Sequence, residues 1–342
     1  MKKLTFAYTM IAWFVCTSLY AQLGKITVRV LDHKTGQPIK DAEVSAGFDQ
    51  TIKPGWGLGA GRPNRVKGLT NENGEVELSE KGNMGTVGVS VRREEYYTSR
   101  SHGVQFTGKG GLLNRYWRPW NPTLEVKLHP IQNPIPLYVK FVDNEALPTE
   151  NDPVGYDLLV GDWVHPYGSG KVKDFIFQVT RAPEKTIPIE KVGLYGKDYR
   201  VLYDISFVIK GANKYDGFIL VERPAIGKAS SSQRMLPFTA PEKGFESEIV
   251  HRWKNHPDGS NVKTVSNEAN YFFRVRTKVD EEGNIVKALY GKIYGDIRYK
   301  VNQRQISFTY YINPTPNDRN LEFDPEKNLF ENLKHSERVS RP

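Results

Sequence analysis

The feature that most constrains this chain is an alternation of apolar and polar residues with a period of two, repeated in short segments and interrupted by turn-forming residues. Ile26, Val28 and Val30 alternate with Thr27 and Arg29; Ala42, Val44 and Ala46 repeat the pattern, and so do Val87, Val89 and Val91, then Leu124, Val126 and Leu128. Successive side chains of an extended backbone point to opposite faces, so each segment reads as a strand with one buried side. The breaks carry turn chemistry: Gly36 and Pro38 after Asp32, and Asn73-Gly74 before Val76. Gly (30) and Pro (21) recur in such clusters, which suits a protein of many strands and many turns.

The same period continues through Leu137 to Val142, Phe175 to Val179 and Val201 to Ile209. Tyr271 to Val279 then faces Ile285 to Tyr294 across the Asp280–Asn284 loop, and Asp296 to Val301 and Gln305 to Tyr311 follow. Helical spacing is confined to Glu326 to Leu333. The expected fold is all-β, an N-terminal β-sandwich followed by a larger antiparallel β-sandwich or jelly-roll-like domain. The expected layout is 22–129 for the first domain, 130–136 for a Pro-rich linker, 137–329 for the second domain and 330–342 for a charged, frayed tail.

The first 21 residues have the form of a secretory signal: Lys2 and Lys3, an apolar run from Leu4 to Val15, and small residues up to Ala21. The run falls short of the ~20 residues that cross a bilayer, so cleavage after Ala21 is expected, with no membrane span left in the mature chain. Export to the periplasm, the outer surface or the medium follows from that reading. Cys16 is the only cysteine and leaves with the signal, which excludes disulfides, thiolate nucleophiles and cysteine-ligated metals from the mature protein. Losing Lys2 and Lys3 takes the formal charge from +9 to +9 − 2 = +7. The remaining cations are interleaved with acids, as in Arg92-Arg93-Glu94-Glu95, and not drawn into the basic stripe of a nucleic-acid binder.

Three stretches taken together, ITVRVLDHKTGQPIKDAEV, GLTNENGEVEL and VGVSVRREEYY, resemble the carboxypeptidase regulatory-like domain over residues 24–129. The resemblance implies a transthyretin-like sandwich, grouped with carbohydrate-binding-like folds, and an accessory role. It supplies no catalytic residue. The departure is the insertion Lys53 to Lys67. WRPWNPTLEV, NPIPLYVKF and GYDLLVGDWVHPYGSGKVKDF are also similar to uncharacterised secreted proteins that join such a domain to a β-rich one, without indicating a function.

Several motifs are weaker than they look. Gly55 to Gly61 and Gly168-Ser169-Gly170-Lys171 imitate phosphate loops, but Arg62-Pro63-Asn64 follows the first without helical spacing, and His165 stands where the second needs its leading glycine. Asn71 to Gly74 spaces oxygen side chains as a calcium loop does but lacks the longer ligand set. The seven histidines show no metal spacing and there is no Gly-x-Ser-x-Gly elbow, so no cofactor or metal is expected.

Two clusters stand out as ligand-binding candidates. Asp162, Trp163, His165 and Tyr167 place an acid, an indole, an imidazole and a phenol around a glycine-flanked bend, as a polar-ligand pocket requires. The competing role is structural, with Trp163 and Tyr167 filling the core and Asp162 holding backbone amides. Trp117, Arg118 and Trp120 offer flat faces for sugar rings and a guanidinium for hydroxyl or acidic groups, or else bury as core aromatics. The leading expectation is a non-catalytic exported binding or structural protein of the bacterial envelope, with polysaccharide or another envelope protein as partner. The alternatives are a secreted polysaccharide hydrolase, which needs two carboxylates in one cleft with separated pKa values, and a protein scaffold, which needs an exposed apolar patch.

Overall fold

The computed structural model describes residues 23–50, 64–81, 84–106, 108–109, 116–193, 196–223 and 231–342. The expected signal segment 1–21 and the glycine-rich run 55–61 lie outside them. The described chain is all-β: strands joined by loops, with two single-turn 3-10 segments, Ser232–Arg234 and His335–Glu337. It forms two compact units, Met1–Leu128 and His129–Pro342.

In the first unit, Leu23–Asp32 pairs antiparallel with Glu75–Lys81 and parallel with Thr123–Leu128, giving a three-stranded sheet. Asn64–Leu69, Glu43–Gln50, Met84–Arg92 and Ser99–Gln105 form, in that order, a four-stranded antiparallel sheet. The last four residues of the apparent insertion 53–67, together with Gly68 and Leu69, are thus strand, not loop. Both sheets feed one core: Ile26, Val28, Val30 and Val126 from the first meet Val44, Ala46, Phe48, Val87, Val89 and Val91 from the second. The alternation supplies these residues in register, and full burial of each large apolar side chain stabilises by roughly 1.5–3 kcal/mol.

The second unit contains two six-stranded sheets. One runs Tyr138–Ala146, Gln305–Ile312, Ile285–Ile293, Ala269–Val279, Gly217–Glu222, with Arg298–Lys300 beside Gln305–Ile312. The other runs Asp162–Trp163, Val154–Asp157, Phe175–Arg181, Asp204–Gly211, Glu248–Asn255, Asn261–Lys263. Val201 to Ile209, which reads as one strand, belongs to two: Gly196–Leu202 pairs with Lys185–Gly193, and Asp204–Gly211 pairs within the large sheet. The core between the sheets is aromatic, with Phe175 set edge-on to Phe273 at 5.0 Å, Phe177 stacked on Phe207 at 5.9 Å and Tyr156 edge-on to Trp163 at 5.1 Å.

Two expectations fail here. Residues 326–333 form no helix, because tertiary bonding overrides the helical spacing. The side chain of Asn328 accepts from the Val139 amide at 3.2 Å and donates to the Val139 carbonyl at 2.7 Å, while the Leu329 amide donates to the Leu137 carbonyl at 3.0 Å. The segment therefore lies along the edge strand Tyr138–Ala146 and covers backbone groups that an open sheet edge leaves unpaired. The tail is not frayed either. Lys140 contacts Glu337 at 3.3 Å, Tyr311 donates to the Arg341 carbonyl at 3.2 Å, and Val339 packs beside Leu137, Val139, Tyr311 and Phe323. The Pro-rich stretch 130–136 is likewise bonded into the second unit, since the buried Glu322 carboxylate accepts the amides of Gln132 (2.9 Å) and Asn133 (2.6 Å).

Lys292 is the unusual core residue. Its side chain is fully buried, its amine lies 4.7 Å from the Tyr311 ring and 5.5 Å from Phe238, and it finds no hydrogen-bond partner among the described residues. Burial pulls its pKa from 10.5 to about 7 against the attraction of Glu322. Between those pH values the unfolded chain holds a proton that the folded protein has released, so stability rises with pH across that window. Below about pH 7 the full cost of the buried charge is present. Lys292→Met, close in volume, should raise stability at pH 7 by a few kcal/mol, on the order of 3–5, with the gain fading toward pH 10. Thermal melts of both forms from pH 6 to 10 check this; a variant no more stable at pH 7 would show that the amine is compensated.

Candidate functional site

The outer face of the four-stranded sheet in the first unit is concave. The strand Glu43–Gln50 turns Val44, Ala46 and Phe48 inward, so Glu43, Ser45 and Gly47 face out; Met84–Arg92 turns Val87, Val89 and Val91 inward and presents Thr86, Gly88, Ser90 and Arg92. The pairing sets these into rows across the sheet. One row reads Lys67, Ser45, Ser90, Arg100 over four adjacent strands, and the next reads Arg65, Gly47, Gly88. Neighbouring strands lie about 4.8 Å apart, so the two cations of the first row stand on strands about 14 Å apart with only hydroxyls between them. The result is a trough of about 720 Å³ with a floor of serine and glycine and walls of arginine and lysine.

Two glycines of this sheet differ in what they do. Gly103 sits at a bulge between Met84–Arg92 and Ser99–Gln105 with φ of +70°, where a Cβ would fall 1.5 Å from the Val87 carbonyl oxygen, so the backbone itself demands glycine. At Gly88 a Cβ would meet nothing nearer than the Ser101 oxygen at 3.9 Å. The fold therefore does not require glycine at 88, and what its absent side chain leaves is an open floor.

Four cations and one acid line the trough: Arg65, Lys67, Arg92 and Arg100 against Glu43. Lys67 bonds Glu43 at 2.6 Å and holds its carboxyl below the usual range. Arg65 and Arg92 have no carboxylate within ion-pairing distance among the described residues, so their charge faces solvent. An open, polar, cationic trough differs from the enclosed, mostly apolar pocket of a small-molecule site and suits an extended polar chain with negative charge.

The sequence candidates fall elsewhere, and none of the seven lines this trough. Trp117 is buried in the first core. Arg118 and Trp120 are exposed, with Trp120 tilted against Tyr116 at 4.4 Å between centroids. In the second unit Trp163 is buried among Tyr156 and Phe177. Asp162 accepts from the Trp163 amide (2.8 Å) and from the Ser169 amide and hydroxyl (both 2.7 Å), which is loop-holding work. His165 and Tyr167 are exposed on the turn that follows, so Tyr167 does not fill the core. The structure thus brings Asp162 and Ser169 together but gathers no pocket from the four residues. The trough residues belong to the polar half of each alternation, Ser45, Gly47, Gly88 and Ser90, and only the cross-strand register brings them together.

Asp157 and Asp174 are neighbouring carboxylates in contrasting environments. Burial pushes the Asp174 carboxyl up despite Arg276, while Asp157, although burial opposes it, is held low by the amides of Lys171 and Val172 at 3.0 Å each. Separated pKa values are what acid-base catalysis needs, but both carboxylates are sealed. Arg276 bonds Asp174 at 2.7 and 2.8 Å and Asp157 at 2.8 Å, and the Leu158 amide takes the remaining Asp174 contact at 2.9 Å. No protein-family model, curated protein or solved structure matches the chain. What the trough and this cluster do must therefore be read from their own geometry.

Asp174→Ala leaves Arg276 with Asp157 as its remaining carboxylate and takes the acceptor from the Leu158 amide. The expected loss is on the order of 1–3 kcal/mol, the cost of buried polar groups left without partners, read from urea denaturation of the purified protein. A loss below about 1 kcal/mol, the size of an exposed pair, would show that the cluster is not structural.

Proposed function

We propose that this chain is an exported, non-catalytic binding protein of the bacterial envelope whose ligand is a polysaccharide, held across the four-stranded sheet of the first unit. The observation that carries the reading is the row Lys67, Ser45, Ser90, Arg100, which sets two hydroxyls between two cations in the spacing of four adjacent strands. Hydroxyls at the floor match sugar hydroxyls. The cations at both walls favour an acidic polymer and would bind its carboxylate or sulfate groups by charge-assisted hydrogen bonds. The resemblance of residues 24–129 to a domain of carbohydrate-binding-like fold points the same way. A hydrolase would need a facing pair of carboxylates, and the trough is lined by one, Glu43.

The test is retention of the purified chain on acidic and neutral polysaccharides, with product analysis of the same samples. Acidic polymer should be retained without cleavage, and Lys67→Ala with Arg100→Ala should weaken retention about tenfold or more. Gly88→Leu, whose Cβ would meet nothing nearer than 3.9 Å, should block the floor. Retention should also fall between 50 and 200 mM salt. Released oligosaccharide would instead establish a hydrolase, and no retention on any polysaccharide would leave a protein-facing role. Trp117 and Trp163 are unsuitable probes, because alanine at either position tests the core and not a site.

A further inference from the structure

The second unit carries a smaller cleft that the trough does not explain. It opens between the paired strands Glu248–Asn255 and Asn261–Lys263 on one side and Arg298–Lys300 on the other, with a volume of about 250 Å³. Trp253 forms one wall, directly across the strand pair from Lys263. Its ring is edge-on to Tyr299, which also lines the cleft, at 6.0 Å and to His251 at 6.3 Å. The indole is half-buried and borders the cleft.

The opposite wall is a loop fixed from beneath. The buried carboxylate of Asp296 accepts the Ser266 amide at 2.9 Å and the Tyr271 hydroxyl at 3.1 Å, and lies 2.9 Å from His251 Nε2. Ser266 stands between Val265 and Asn267, which both line the cleft, so a core acid positions two wall residues. Across the mouth the Arg298 guanidinium donates to the Asn267 side-chain oxygen at 3.3 Å. Three cations, Lys263, Arg298 and Lys300, surround the opening, no acid lines it, and none of the three forms an ion pair among the described residues. Uncompensated like charges repel at some cost to stability, and a bound anion relieves that repulsion.

We propose that this cleft binds a single acidic sugar residue. The indole takes the C–H face of the ring, the three cations take its carboxylate, and the Asn267 amide serves a ring hydroxyl. The smaller volume suits one ring, whereas the trough admits a chain. The ligand class rests on the polysaccharide reading above; the site is separate from it.

The experiment is calorimetric titration of the full chain with a galacturonic acid trimer, its methyl ester, and inorganic sulfate. The trimer should bind, and the affinity should fall at least tenfold in the Lys263→Ala, Lys300→Ala double variant, whose exposed side chains leave the core untouched. Trp253→Phe should lower it severalfold, and the methyl ester, which keeps the ring but not the charge, should bind far more weakly. Binding that is lost in the Lys67→Ala, Arg100→Ala variant but unchanged in the cleft variants would overturn the cleft and leave the trough standing. Binding that survives the trough variant and fails in the cleft variants would support the cleft, even if the trough retains no polymer. Sulfate binding as tightly as the trimer would reduce the cleft to a simple anion site, and a trimer that does not bind would refute the proposal.

Discussion

The core strands of this protein meet two demands at once: their backbones must be paired, and one row of their side chains must leave water. Meeting the first with sheets and the second with period-two alternation leaves the other row facing solvent. In the first unit the inward row is Val44, Ala46, Phe48 with Val87, Val89, Val91. That row supplies the stability, so the outward row is free to be serine, glycine, lysine and arginine. The trough is the reverse side of the core, and its cations are spaced by the same strand separation that orders the valines.

Buried charge performs a second kind of work in the larger unit. Asp157, Asp174, Asp296 and Glu322 are each nearly inaccessible, and each accepts backbone amides from a loop that has no sheet to join. A carboxylate with several oriented amides is satisfied without water, which lets loops cross a core edge in one fixed course. Lys292 is the exception, a buried amine with aromatic rings and no acceptor among the described residues, and there the cost falls on stability.

The apolar alternation was legible because it is local: Ile26, Val28 and Val30 can be placed on one face without knowing any partner. What that pattern lacks is register. Ser45 meets Ser90, and Lys67 and Arg100 flank them, only because strands separated by loops align at one offset. Aromatic density misled in the opposite sense. Trp117 and Trp163 stand in polar surroundings along the chain, yet large rings yield the most from burial, and both cores took them. The helical spacing of 326–333 yielded to three hydrogen bonds from residues almost two hundred positions earlier, a distance that local periodicity does not reach.

That edge covering has a consequence for how the second unit assembles. Val139 and Asn328 are 189 positions apart, and Gln132 and Glu322 are 190. A chain delivered progressively supplies the strand Tyr138–Ala146 long before its cover, so its outer edge stays unpaired while most of the unit is synthesised. Contacts of such separation close slowly, and an uncovered edge meanwhile is a template for other strands. The contacts made by Glu322 and Asn328 therefore act as a latch in time as well as in space: the second unit loses its open edge only when the segment that bears them arrives.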